Sequence, residues 1–195
     1  MADADLHALP ALLGADDPAI YTLHRPQGAS PYLLLADHAR QCQRRPAPLD
    51  RVDVHQLRAI AGYPTLSVVR VPDNDEVIIK QYLDLGAQSL VVPMVDSVEE
   101  AQAAARAVAY PPGGVRGVGS ALARSGRWNR IPGYLTRARE TITLIVQAES
   151  AAAMENAAAI AAVDGVDGVF IGPSDLAASM GLLGQQTHPD VVAAV

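Results

Sequence analysis

A chain of 195 residues with 50% hydrophobic and 18% charged residues has the composition of one globular domain around a single packed core. Its formal net charge of -6 opposes nonspecific binding to a phosphate backbone, which needs a basic surface to displace counterions, so no nucleic-acid partner is expected. Cys42 is the one cysteine, which rules out an internal disulfide or a Cys-rich zinc site. The acidic N-terminus lacks the basic region of an export signal, and no apolar run reaches the ~20 residues of a membrane span. A cytoplasmic protein without a membrane anchor is expected.

In chain order, Tyr21 to Asp50 is rich in Arg, Pro and Gln, with one short apolar run at Leu33 to Leu35. From about Arg51 onward, β-branched runs alternate with longer Ala-rich or Leu-rich periodic stretches, the pattern of repeated strand-helix units. The chain is accordingly divided into a divergent N-terminal segment, 1–50, and a partial barrel domain, 51–195.

A helix is expected at Val54 to Ala61, followed by a buried strand at Val68 to Val71. Asp73 and Glu76 then have the spacing of a capping box that opens a helix through Leu85, which Gly86 can end. Ser89 to Val95 is the next strand, and Ser97 with Glu100 repeats the capping spacing before a helix at Ala101 to Tyr110, stopped by Pro111 and Pro112. Thr141 to Ala148 and Gly168 to Ile171 are two further apolar strands, separated by an Ala-rich helix from about Ala151 to Val163. A last helix begins near His188. The fold class is α/β, a partial (β/α)8 barrel: four strands are marked, whereas a closed barrel needs eight and typically ~250 residues. The sequence thus reads as an incomplete barrel.

Reacting groups in parallel α/β barrels project from the C-terminal ends of strands. Arg70 ends the run SVVRV, Gln147 and Glu149 end TLIVQAE, and Asp175 follows GVFIGPSD. A cation, an amide and two carboxylates around one rim suit an anionic substrate and a hard divalent ion such as Mg2+ or Mn2+, with open positions for water and a bidentate 2-oxo acid. The plain alternative has Ser174 or Asp175 capping a short helix, Glu149 in the first turn of another, and Arg70 paired with Asp73 or Asp75 on the surface.

Lys80 is the one lysine and falls inside a helical stretch, so a Schiff-base mechanism lacks a well-placed amine. Its spacing to Asp84 is that of a solvated helical ion pair. Gly117-x-Gly119 lacks the third glycine of a dinucleotide fingerprint and follows a Pro-Gly turn instead of a strand. Arg116, Arg124, Arg127, Arg130 and Trp128 are read as a loop at an active-site mouth or a subunit contact, not as an RNA-binding patch. His7, His24, His55 and His188 have no partner at metal-ligand spacing and are read as solvated or capping residues, leaving His38 as the one histidine that could end a strand.

The segments VVRVPDND, IKQYLDLGAQSLVVPMV, YPPGGVRGVGSALARSGRWNRIPGYL, LIVQAES and VDGVDGVFIGPSDLAASMG together resemble the HpcH/HpaI aldolase family, especially its 4-hydroxy-2-oxoheptanedioate and 2-keto-3-deoxy-rhamnonate aldolases. Arg51 to Val195, about three quarters of the chain, carries the likeness. The resemblance implies a class II aldolase of the phosphoenolpyruvate/pyruvate-binding barrel type. Such an enzyme would cleave 4-hydroxy-2-oxo acids to pyruvate and an aldehyde such as succinic semialdehyde, within the catabolism of aromatic compounds. It also implies a divalent metal (Mg2+, Mn2+ or Co2+) held by Glu149 and Asp175, pyruvate held by Gln147 and the backbone at Ser174 and Asp175, and Arg70 stabilising the enolate. Asp84 is implied to raise the basicity of an active-site histidine, and the implied assembly is a homo-hexamer.

The sequence departs from the family's pattern where that histidine should stand. A Gly-Glu-His-Ala type motif is replaced by Ala36-Asp37-His38-Ala39, followed by RQCQRRPAP. The family's early tryptophan-containing strand is also unrecognisable, as a compensated pair of frameshifts over Tyr21 to Asp50 would produce. Two competing readings follow: a non-catalytic remnant or assembly partner of an intact aldolase, and a phosphate-binding module built on the Gly117 loop.

Overall fold

A computed structural model of the chain describes residues 66–119 and 121–195, together with Leu57 and the backbone of two earlier strands, β1 (Ile20–Leu23) and β2 (Leu33–Asp37). The remaining strands are β3 (Leu66–Arg70), β4 (Ser89–Val92), β5 (Thr143–Ala148) and β6 (Gly168–Ile171). They form one sheet in the order β1-β2-β3-β4-β5-β6. β2 to β6 are parallel and neighbours in sequence are neighbours in space, whereas β1 runs antiparallel to β2. Successive parallel strands in sequential order are the topology of a (β/α) barrel wall. The apolar run at Leu33 to Leu35 is thus part of a strand. Val54 to Ala61, apart from the helical Leu57, and His38 lie outside the described residues.

Six helices accompany the described sheet: α1 (Glu76–Asp84), α2 (Val98–Val108), α3 (Tyr134–Arg137), α4 (Ala151–Ala161), α5 (Pro173–Ser179) and α6 (Pro189–Ala194). The expected start of α1 needs correcting. Asp75, not Asp73, is the N-cap, and its carboxylate accepts from the amides of Val77 and Ile78 at 2.9 Å each. Glu76 is consequently the first helical residue and cannot close a capping box, and Asp73 accepts from the neighbouring Asn74 amide instead. Gly86, at φ 101°, ends the helix as expected, because the left-handed conformation is open to glycine without a Cβ clash. The capping box of Ser97 and Glu100 is complete, so α2 starts at Val98, earlier than Ala101. Ser150 caps α4 by accepting from the Ala153 amide, and His188 caps α6.

The core lies between the sheet and α1, α2 and α4. Leu90, Val92, Leu144 and Val146 meet Ile79, Tyr82 and Leu83 of α1, Ala101, Ala104, Ala107 and Val108 of α2, and Ile160 of α4. The alanines of α2 recur at helical spacing on one face, which lets that helix approach the sheet closely. β4 is buried on both faces, as a parallel strand in an α/β protein must be. It ends at Val92 instead of Val95 because Pro93 has no N–H to extend the ladder. A smaller cluster of Leu176, Ala177 and Val191 packs α5 against α6. Among the described residues no helix is long and apolar enough to cross a membrane.

Candidate functional site

At the C-terminal ends of β3, β4, β5 and β6, polar groups gather around Glu149. This residue follows the end of β5 and precedes the cap of α4, so strand and helix together fix its backbone. It is 1% exposed. One carboxylate oxygen, Oε1, accepts from the Met94 amide at 2.9 Å and lies 3.9 Å from Nη2 of Arg70, the last residue of β3. The other, Oε2, accepts from Nε2 of Gln147, two residues earlier near the end of β5. Asp175 lies in the exposed first turn of α5, near enough for its carboxyl to act on that of Glu149.

These surroundings push the Glu149 carboxyl up to about 7. Burial is the main cause, the Asp175 carboxyl adds to it, and the Met94 amide and Arg70 oppose it. A buried carboxyl that titrates near neutrality beside a second carboxyl is a pair whose charges a divalent cation would stabilise. The donors are the hard oxygens that Mg2+ or Mn2+ prefers. Gln147 Oε1 is buried without a hydrogen-bond partner among the described residues, leaving an acceptor beside Glu149. Among the described residues no three His, Cys, Asp or Glu side chains converge.

Gly172, between β6 and α5, is a site residue that composition and spacing do not reveal. A Cβ there would fall 2.7 Å from Oε2 of Glu149 and 2.8 Å from Nε2 of Gln147, so a side chain at this position would displace both. Its signal in the sequence is slight: a glycine between an apolar run and Pro173.

The structure brings together Arg70, Gln147, Glu149 and Asp175. Ser174 sits beside them in α5, where its hydroxyl accepts from Gln186 Nε2 at 3.1 Å. Asp84 is not part of this group. It ends α1, which runs back from the rim, and so lies towards the end of the sheet where the strands begin. There it pairs with Lys80 and with the buried Arg116, whose Nη2 donates to Oδ1 at 3.0 Å. The helical ion pair is therefore formed. Gly117 and Gly119 pack against the Lys80 side chain, which puts the glycine loop at this same end.

A sequential parallel sheet carrying an acidic rim flanked by arginine at its strand ends defines an α/β protein of the (β/α)8-barrel type. The model of the HpcH/HpaI aldolase/citrate lyase family matches residues 49–195, and the chain belongs to that family. It is 57% identical over 140 residues to the 4-hydroxy-2-oxo-heptane-1,7-dioate aldolase of Salmonella dublin, covering 72% of this chain and 53% of that protein. It is also 57% identical over 150 residues to the hydroxypyruvate/pyruvate aldolase of Deinococcus radiodurans, covering 76% and 54%. The chain thus spans about half the length of these relatives. The crystal structure of an HpcH/HpaI aldolase/citrate lyase family protein from Burkholderia cenocepacia J2315 superposes with a TM-score of 0.77 at 36% identity, covering 96% of this chain and 68% of that one.

Proposed function

We propose that the chain carries the pyruvate-binding half of a class II aldolase that cleaves 4-hydroxy-2-oxo acids, such as 4-hydroxy-2-oxoheptanedioate, to pyruvate and an aldehyde. The observation that carries this reading is the buried Glu149 carboxyl, bonded to Gln147, facing Arg70 and raised in part by the neighbouring Asp175 carboxyl. Glu149 and Asp175 would hold a divalent ion (Mg2+, Mn2+ or Co2+). When bound, the ion supplies Lewis-acid polarisation of the 2-oxo group.

The chain's own residues account for the rest of pyruvate recognition. Gln147, already oriented by Glu149, presents its amide to the pyruvate moiety. The first-turn amides of α5 at Ser174 and Asp175 have no partner within the helix and suit the substrate carboxylate. Arg70 places its guanidinium where enolate oxygen develops. The lone Lys80, tied to Asp84 away from this rim, supports a mechanism without a Schiff base. A homo-oligomeric assembly in the cytoplasm is part of the same proposal, drawn from the family's pattern and the absence of paired cysteines.

The test is release of pyruvate from a 4-hydroxy-2-oxo acid by the purified chain with Mn2+ or Mg2+, followed through a coupled dehydrogenase. Activity should require the metal and disappear in Glu149→Ala. Absence of pyruvate release by soluble, folded protein would overturn catalysis by this chain and leave the reading as a non-catalytic assembly partner.

A further inference from the structure

The loop from β4 to α2 contains a backbone conformation that packing does not explain. Met94 has a φ of 52°, in the left-handed region that non-glycine residues seldom occupy, and at 55% exposure its side chain is not buried in return. On one side of it the β4 ladder stops at Val92, ahead of Pro93. On the other, the Val95 amide donates to the Gln147 carbonyl at 3.1 Å, which returns the chain to the end of β5. Between these two attachments the turn at Met94 sends its own amide to Oε1 of Glu149.

The outer part of the loop is also fixed. Ser150 Oγ donates to Oδ1 of Asp96 at 2.6 Å, Asn156 Nδ2 donates to the Asp96 carbonyl at 2.9 Å, and the Asp96 amide donates to Glu100 Oε2 at 2.7 Å. A strained residue persists where its surroundings determine it from both sides, and such residues cluster at functional sites.

We infer that Met94 is a positioning residue whose left-handed backbone holds Oε1 of Glu149, keeping Oε2 on the side of Gln147 and Gly172. The inference rests on the reading of Glu149 as a metal ligand. Every residue except proline supplies an amide, so the side chain at 94 matters through its tolerance of positive φ. Asparagine accepts that region readily and isoleucine resists it.

Two measurements on the purified chain test this. In calorimetric Mn2+ titrations, Met94→Asn should stay within about three-fold of the parent affinity, and Met94→Ile should bind at least about ten-fold more weakly. In metal-free hydrogen exchange, the amide of residue 94 should be protected in the parent and lose about ten-fold or more of that protection in Glu149→Ala. An equal loss of affinity in both Met94 variants would assign the effect to the side chain and overturn the inference. A lowered melting temperature in Met94→Ile with unchanged Mn2+ affinity would overturn it too, as a purely structural role. If Met94→Ile does not fold, Met94→Ala takes its place, and an affinity no weaker than that of Met94→Asn counts against the inference. If the parent does not bind Mn2+, the metal reading fails by itself, and the exchange measurement alone decides whether Met94 holds Glu149.

Discussion

Arg116 donates to Asp84 at 3.0 Å from a position that is 1% exposed, and its guanidinium also stacks 4.5 Å from the centre of the Tyr110 ring. Its Nε and Nη1 have no hydrogen-bond partner among the described residues, so the Asp84 carboxylate and the Tyr110 ring, with a long bond to Ser125, bear most of the compensation for its burial. The two partners are not equivalent. Asp84 is partly exposed and keeps Lys80 if Arg116 is lost, whereas Arg116 has no second carboxylate partner among the described residues. Asp84→Ala should therefore cost about 3–5 kcal/mol of unfolding free energy, and Arg116→Met clearly less, since exchanging a buried cation for an apolar chain also removes its desolvation penalty. Urea denaturation of both variants checks the order, and equal losses would contradict it.

Gly172 gives a sharper case. The Cβ of Gly172→Ala would meet Glu149 Oε2 and Gln147 Nε2 well inside contact distance, and the carboxylate would have to move. The expected result is a loss of about 1–3 kcal/mol in stability, as for overpacking elsewhere, with at least about ten-fold weaker Mn2+ binding. Denaturation and calorimetry measure the two separately, and wild-type Mn2+ affinity in a folded Gly172→Ala protein would remove Gly172 from the site.

What the sequence made legible follows from which interactions are local. Strand ends are announced by polar residues after β-branched runs, so Arg70, Gln147, Glu149 and Asp175 were readable one run at a time. The parallel pairing that brings them together then follows from alternation of strand and helix. Ser97 and Glu100 were readable because a capping box lies within four residues. In Asp73-Asn74-Asp75 three adjacent side chains can each cap a helix, and local pattern could not choose among them. Gly172 and Met94 act across strands on Glu149, and their importance depends on distances and a φ angle that no spacing encodes. The histidine that the family likeness pairs with Asp84 has no counterpart among the described residues, so the role of Asp84 beyond its pairing with Lys80 and Arg116 is not readable from this part of the fold.

The Glu149 carboxyl makes stability depend on pH in a direction opposite to that of an ordinary salt-bridged acid. Its ordinary value is 4.5, and in the folded chain it is pushed up to about 7, chiefly by burial. Between those limits the folded state binds more protons than the unfolded state, so metal-free stability falls as pH rises through this window. Glu149→Gln removes the titrating group. The variant should gain stability relative to the parent between pH 5 and pH 8, and the gap should close on adding saturating Mn2+, which binds only the parent's ionised carboxylate. Urea denaturation at both pH values in a chelating buffer checks the sign. A parent-to-variant difference that does not change with pH would show that Glu149 does not titrate in this range.

The single lysine allows the mechanism to be tested without relying on turnover. Lys80 Nζ is paired with Asp84, and its side chain lies along Gly117 and Gly119, near the end of the sheet where the strands begin. A Schiff-base enzyme needs its amine within bonding distance of the substrate carbonyl, and Lys80 is held in a helix by Asp84, away from the rim. Borohydride added with pyruvate should therefore leave the mass of the chain unchanged. Lys80→Arg preserves the charge beside Asp84 but cannot form an imine, and it should keep at least about half of the parent's metal-dependent pyruvate release, with Mn2+ affinity unchanged within about two-fold. A pyruvyl adduct on Lys80 would replace the metal-based mechanism with an imine-based one. Lost activity in Lys80→Arg without an adduct would instead trace to the Asp84 and Arg116 cluster, and a lowered melting temperature would identify that cause.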